Sequence, residues 1–180
     1  RPLENRCFVL KGTNMNKDLV IIGAGPGGYE AAIKAAKKGL SVAIIEKARV
    51  GGTCLNHGCI PTKALYKNAE VANTLKLTET FGFNDISYSL DFSKVKARKD
   101  EIVFTLRKNI EMMLKKAKVE VIKGHATFKD EHTIIVTDDE KIEEIAADYF
   151  IIATGSVDKT LQIIGNDLDN VLTSKDILDI

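Results

Sequence analysis

The sequence predicts an α/β fold, a parallel sheet with flanking helices that gives way to a run of short strands. Three observations carry this. Two short apolar runs, residues 19–22 and 40–45, read as strands buried on both faces, the first stopped by glycines and the second closed by Glu46. Between them residues 29–38 are rich in alanine and end in Lys37-Lys38-Gly39, a helix with cations in its last turn and a glycine past its end. Strand, helix and strand together occupy about 30 residues, the length of one βαβ unit. Beyond Val119, the third observation, the apolar period shortens to that of strands.

The elements follow in order. Residues 1–14 have no sustained period and precede Met15, so they read as a leader or remnant outside the fold, and Cys7 goes with them. After Glu46 comes a glycine-and-cysteine loop, then a helix over residues 60–77. A second long helix is expected over 92–118, with Asp91 as its N-cap. Val95, Ile102, Leu106, Ile110 and Met113 recur along it at helical spacing, and the lysines opposite read as a solvated face. Residues 119–122, 132–137, 141–145 and 149–153 read as short strands, with turn formers such as Lys129-Asp130 and Asp138-Asp139 in the gaps. From Val157 the pattern fades until a helix start at 174–180.

Composition narrows the function classes. At 180 residues there is room for one ordinary domain, and 44% hydrophobic with 28% charged residues excludes a disordered chain. Twenty-six basic against twenty-five acidic residues leave a net charge of +1, which gives no electrostatic reason to expect nucleic acid. No apolar run reaches the ~18 residues a membrane helix needs, and the opening residues do not read as a secretory leader. Three cysteines are too few for a disulfide-built secreted miniprotein. The expectation is a cytoplasmic protein with neither membrane nor nucleic acid as partner.

Gly23-Ala24-Gly25-Pro26-Gly27-Gly28 follows the first strand and opens the first helix. That is a Rossmann-like fingerprint: Gly23 for a tight turn, Gly25 for close approach of a pyrophosphate, Gly28 for close packing of helix on strand. The helix start offers free N–H groups and a positive dipole end to phosphates. Glu46, at the tip of the next strand, can accept both hydroxyls of a ribose and disfavours a 2′-phosphate by repulsion. A glycine-rich turn without a ligand is the plain alternative; Glu46 in that place favours a bound nucleotide.

The stretch Gly51-Gly52-Thr53-Cys54-Leu55-Asn56-His57-Gly58-Cys59-Ile60-Pro61-Thr62-Lys63 carries the most information. Its cysteines could be a metal half-site, a structural disulfide, a redox pair or ordinary buried thiols. No second cysteine pair completes a tetrahedral zinc site, and His57 lies within the same short loop. A redox pair fits best, because Cys59 starts a helix with Pro61 in its first turn, and a helix N-terminus stabilises a thiolate.

This segment resembles the active-site segment of the flavin-dependent pyridine nucleotide–disulfide oxidoreductases, and within them the dihydrolipoamide dehydrogenase branch. Leu55 and Ile60 stand where the glutathione and mercuric reductases tend to carry valine. The resemblance spans residues 17–180 and corresponds to the FAD-binding part of such enzymes. It implies an FAD-binding domain over 15–157 and a linker over 158–180 toward an NAD-binding domain that the chain does not contain. FAD would be held by Gly23, Gly25, Gly28 and Glu46 at its ADP half, with Lys47 beside them. Gly52 and Thr53 would line its pyrophosphate and ribitol, and Lys63 would sit near the flavin. Gly124-His125-Ala126-Thr127-Phe128 matches the segment that contacts adenine through its backbone, Ala126 included; by pattern alone it is a turn, with His125 on the surface. Thr154-Gly155-Ser156 matches the segment that closes the FAD domain, and the strands after Val119 match a three-stranded β-meander.

The implied reaction takes dihydrolipoamide and NAD to lipoamide and NADH, with Cys54 as the interchange thiol and Cys59 as the thiolate nearest the flavin. Implied partners are a homodimeric second copy and the lipoyl-bearing acyltransferase of a 2-oxo acid dehydrogenase or glycine cleavage complex. None of His57, His125 and His132 lies in the family's catalytic histidine motif, and His57 reads as a loop variant. The expectation is a fragment without complete lipoamide activity. Two departures accompany the match: residues 157–165 lack the family's proline-rich linker, and His57 replaces a usual valine or arginine. A glutathione- or mercury-type reductase, a flavin-binding module without turnover, and a redox protein using the pair without flavin are the alternatives.

Overall fold

A computed structural model of the chain describes residues 15–139, 141–159 and 161–179; the readings of residues 1–14 and of Cys7 fall outside them. The chain forms two units. One holds the described residues up to Val50 together with Glu111–Thr154, the other Gly51–Ile110 and the described residues from Gly155 onward.

The first unit is built on one six-stranded sheet in the order β3-β2-β1-β6-β5-β4. Its strands are β1 (Met15–Ile22), β2 (Val42–Glu46), β3 (Glu120–Lys123), β4 (His125–Asp130), β5 (Thr133–Asp138) and β6 (Lys141–Ile152). β3, β2, β1 and β6 are parallel neighbours, and β6, β5 and β4 are antiparallel. The expected parallel sheet and three-stranded meander are both present, joined through β6. Val20, Ile22, Ala43, Ile45, Ile134, Val136, Ile145 and Ala147 form a continuous buried cluster. On the alternate positions Ile21 and Ile44 are fully buried as well, so the apolar runs do mark strands covered on both faces. Each such side chain stabilises the fold by about 1.5–3 kcal/mol relative to an exposed one.

The differences from expectation have local causes. β1 begins at Met15 because its polar half, Met15–Lys17, pairs only with Ile145–Ala147, whereas Leu19–Ile22 are flanked by both β2 and β6. An apolar run reports burial and so marks only the doubly flanked half. β4 lies where the sequence pattern predicts a turn, yet Ala126 and Phe128 pair with Val136 and Ile134 of β5, with a bulge between Phe128 and Asp130 that admits the turn-forming pair. The expected strands 141–145 and 149–153 are one strand, β6. It changes partner midway: β5 pairs with Lys141–Ala146 and β1 with Ile145–Ile152, the two ladders overlapping at Ile145-Ala146.

Helix α1 (Pro26–Lys37) starts three residues before the expected 29, because Pro26 at its first position has the φ a helix needs. Its Ala32 and Ile33 are buried.

The second unit contains α2 (Gly52–His57), α3 (Cys59–Lys76), a short 3₁₀ turn at Thr78–Phe81, most of α4 (Phe92–Lys116) and α5 (Ser174–Leu178). α2 replaces the expected loop. Six residues between two glycines carry no readable period, so only tertiary contacts define the helix. Asp91 caps α4 as expected, its Oδ1 accepting from the N–H of Ser93 at 3.0 Å. The expected apolar face of α4 is partly wrong. Val95, Lys99 and Val103 are buried there, while Leu106 and Met113 are 36% and 47% exposed. A lysine on the true inner stripe broke the pattern. Lys99 is 4% exposed, donates to the Leu178 carbonyl at 2.6 Å and pairs with Asp100 at 3.0 Å.

Among the described residues no helix is long and apolar enough to cross a membrane, and none group to hold a metal ion.

Candidate dinucleotide and dithiol sites

In the first unit the glycine loop joins β1 to α1. Gly23 has φ +104, and a Cβ there would overlap the Ala153 carbonyl; a Cβ on Gly28 would overlap the carbonyl of Gly23. Close approach of three segments therefore requires glycine at 23 and 28. Ala153 donates its N–H to the Ile22 carbonyl at 2.8 Å, which brings the end of β6 and Thr154 against the loop. At the N-terminus of α1, Gly25 supplies no side-chain cap and the first turn has no acidic residue. The amides and dipole there are left for an external anion, and the residues fit the pyrophosphate of a dinucleotide.

Glu46 ends β2 as expected. One of its carboxylate oxygens accepts from the Ala24 N–H and the other from the Ala48 N–H, both at 2.8 Å. The carboxylate is thereby aimed beside the glycine loop, and each oxygen keeps an acceptor lone pair for a ribose hydroxyl. Lys47 lines an open hollow of about 400 Å³ with Lys123, Gly124, His125 and Asp138, among others. His125 is exposed, as expected. Ala126 turns its side chain to the core cluster, which leaves its backbone as the group able to meet a ligand.

In the second unit Cys54 lies in the middle of α2 and Cys59 is the first residue of α3, with Pro61 buried in its first turn. Both are free thiols, Cys54 half-buried and Cys59 exposed. A hydrogen bond with Cys59 holds the Cys54 thiol above its ordinary pKa, burial and the charge of Cys59 push the same way, and the Lys63 ammonium pulls it down. The Lys63 charge thus acts on Cys54. Gly52 is half-buried, and its carbonyl accepts from the Asn56 side chain at 3.0 Å; Thr53, Gly155 and Ser156 are exposed.

Sequence reasoning missed Asn56 and Arg107. Asn56 is 8% exposed, and its Oδ1 accepts from Arg107 Nε of α4 at 3.0 Å. A polar residue between two cysteines was the only local hint. His57 is the last residue of α2, not a loop residue, and its Nδ1 lies 3.5 Å from the Asp179 carboxylate.

A glycine-lined anion site, a carboxylate at the next strand tip and a dithiol at a helix start are the features shared with one family, whose model, pyridine nucleotide-disulphide oxidoreductase, matches residues 17–179. The chain belongs to the pyridine nucleotide–disulphide oxidoreductases. Within this family it is 41% identical over 162 residues to a dihydrolipoyl dehydrogenase of Chlorobaculum tepidum, covering 89% of this chain and 34% of that protein. It is 40% identical over 162 residues to a dihydrolipoyl dehydrogenase of Bacillus subtilis, covering 89% and 35%. A solved structure, the Cu(II) complex of an HOCl-induced flavoprotein disulfide reductase from Escherichia coli, matches with a TM-score of 0.74 at 31% identity, over 92% of this chain and 34% of that one. The chain spans about a third of the length of these relatives. The Rossmann-like architecture of this oxidoreductase family is the one the chain adopts.

Proposed function

We propose that this chain is the FAD-binding, dithiol-bearing part of a dihydrolipoyl dehydrogenase, which oxidises dihydrolipoamide with NAD. The observation that carries the reading is the pair Cys54 and Cys59, free thiols brought together at the α2–α3 junction, with the Lys63 charge acting on Cys54. Glu46, preset by two backbone amides, and the uncapped start of α1 support FAD as the nucleotide.

In the proposed reaction a thiolate of dihydrolipoamide attacks Cys54 of the oxidised pair. The Cys54–Cys59 bond breaks, a mixed disulfide forms at Cys54, and Cys59 leaves as a thiolate. The second substrate thiol then displaces Cys54, releasing lipoamide and leaving both cysteines reduced. Lys63 stabilises the negative charge that develops at the pair. FAD, when bound, supplies the two-electron link between the reduced cysteines and NAD. Gly23, Gly25, Gly28, Glu46 and Lys47 are the proposed contacts of its ADP half, with Ala126 and Thr154. Gly52, Thr53, Lys63, Gly155 and Ser156 are proposed for the remainder. The whole enzyme is proposed to be a cytoplasmic homodimer that serves a lipoyl-bearing acyltransferase.

The E. coli structural relative, named a flavoprotein disulfide reductase, favours as second reading a reductase with another disulfide or metal substrate. The test is a visible spectrum of the chain with added FAD, followed by anaerobic titration with a dithiol. A long-wavelength thiolate–flavin band is the expected result. FAD binding without the band would leave a nucleotide module with idle cysteines, and a substrate panel on the longer protein separates lipoamide from other disulfides.

A further inference from the structure

The two cysteines sit on different helices that meet closely at Gly58, where an added Cβ would lie 2.9 Å from the Thr53 carbonyl. α2 has six residues, well below the length at which a helix holds itself. Gly58 alone links it to α3, with φ −146 and ψ −116. Both helices are also tied to α4 by arginines. Arg107 Nε donates to Oδ1 of Asn56 at 3.0 Å, and the Asn56 amide donates back to the Gly52 carbonyl at 3.0 Å, so Arg107 grips α2 through its own internal hydrogen bond. Arg98 donates to the Ala64 carbonyl at 3.1 Å and to Asn68 Oδ1 at 3.0 Å, and so grips α3. Nine residues apart, at about 100° per residue, the two arginines emerge roughly 180° apart, flanking the buried stripe of Val95, Lys99 and Val103.

We propose that α4 sets the spacing of Cys54 and Cys59, Arg107 placing the first and Arg98 the second, and that this spacing sets how readily the pair closes into a disulfide. The inference rests on the redox-pair reading above. Both arginines are positioning residues: they touch neither thiol's reaction partner but restrict where each sulfur can go. Closing the disulfide converts two thiols to one S–S bond, with an added disulfide reagent taking up the two electrons and two protons. The more closely the reduced thiols are already held, the less freedom closure removes. Loosening either tie therefore shifts the equilibrium toward the dithiol.

The test equilibrates the chain with mixtures of reduced and oxidised dithiothreitol, and counts the Cys54–Cys59 disulfide by mass after acid quench. Arg107→Met is expected to lower the equilibrium constant for disulfide formation about tenfold, a rise of about 30 mV in reduction potential. Arg98→Met is expected to lower it about threefold, and Arg107→Lys to recover part of the loss by restoring a donor to Asn56. A purely structural arginine would lower the melting temperature and leave this constant alone. Constants within twofold of the parent in both methionine variants would overturn the proposal. If Arg107→Met does not fold, Arg98→Met decides, since Arg98 is exposed and its loss spares the core. A parent chain that forms no Cys54–Cys59 disulfide at all would instead sink the redox-pair reading itself.

Discussion

The two units of this chain are held together by different physics. In the first, Val20, Ile21, Ala43 and Ile44 are wholly buried, and the parallel ladder satisfies their backbone. In the second, a smaller set of buried apolar side chains such as Leu55, Val95 and Val103 is supplemented by cations reaching main-chain and amide oxygens: Arg98 to Ala64, Lys96 to Asp179, Lys99 to Leu178, Arg107 to Asn56. Burial is non-directional and tolerates small shifts, whereas a charged hydrogen bond fixes a distance and an angle. The nucleotide loop thus rests on a packed core, and the dithiol on a directional polar frame.

The contrast can be broken most directly by core deletion. Ile44→Ala should cost about 2–5 kcal/mol in denaturant unfolding. Lys99→Met, removing the buried cation of the second unit, should cost only about 1 kcal/mol. Equal losses would abolish the distinction.

Next in size, Gly28→Ala drives a methyl group into the Gly23 carbonyl and should cost about 1–3 kcal/mol, with loss of FAD binding in a fluorescence titration. Gly27→Ala, where a Cβ meets open space, is the matched control and should bind FAD normally. Glu46→Ala removes the acceptor of two backbone amides beside the loop. ADP affinity, read by calorimetry, should fall at least tenfold, and an unchanged value would remove Glu46 from the ribose site.

The smallest effects concern thiol chemistry. Without added FAD, Cys59 should be alkylated by iodoacetamide before Cys54, since Cys59 is exposed and the Cys54 thiol is held above its usual pKa. Because the folded state favours the protonated thiol of Cys54, its reactivity should switch on at higher pH than an ordinary thiol's. Lys63→Gln removes one of the two downward influences, the other being a backbone hydrogen bond with Cys59, and should move that midpoint higher still. A midpoint that falls instead would mean Lys63 acts on the pair with the opposite sign.

Where the sequence could be read follows the same division. The glycine loop, Glu46 at its strand tip and the two apolar runs are local patterns whose meaning does not depend on distant residues. Cys59 at a helix start was likewise legible, since Pro61 signals a first turn. α2 was not legible, because its Asn56 finds its partner 51 residues further on. Lys99 looked solvated because a lysine on a helix face usually is, and only the Leu178 carbonyl explains its burial. β4 and the continuous β6 depend on cross-strand pairing, which overrides the turn-forming Lys129-Asp130 and the polar break at Asp148.

The order in which strands enter the sheet has a consequence for biosynthesis. β1 lies between β2, which follows it closely, and β6, whose Ile145–Ile152 pair with Met15–Ile22 about 130 residues later. At 5–20 residues per second, a ribosome needs roughly 6–26 s to make the intervening chain. During that interval the apolar edge of β1 has emerged without its second neighbour, an open template for mispairing. The nascent chain is therefore most in need of chaperone cover while the dithiol helices are being made, and it is released from that need only when β6 arrives.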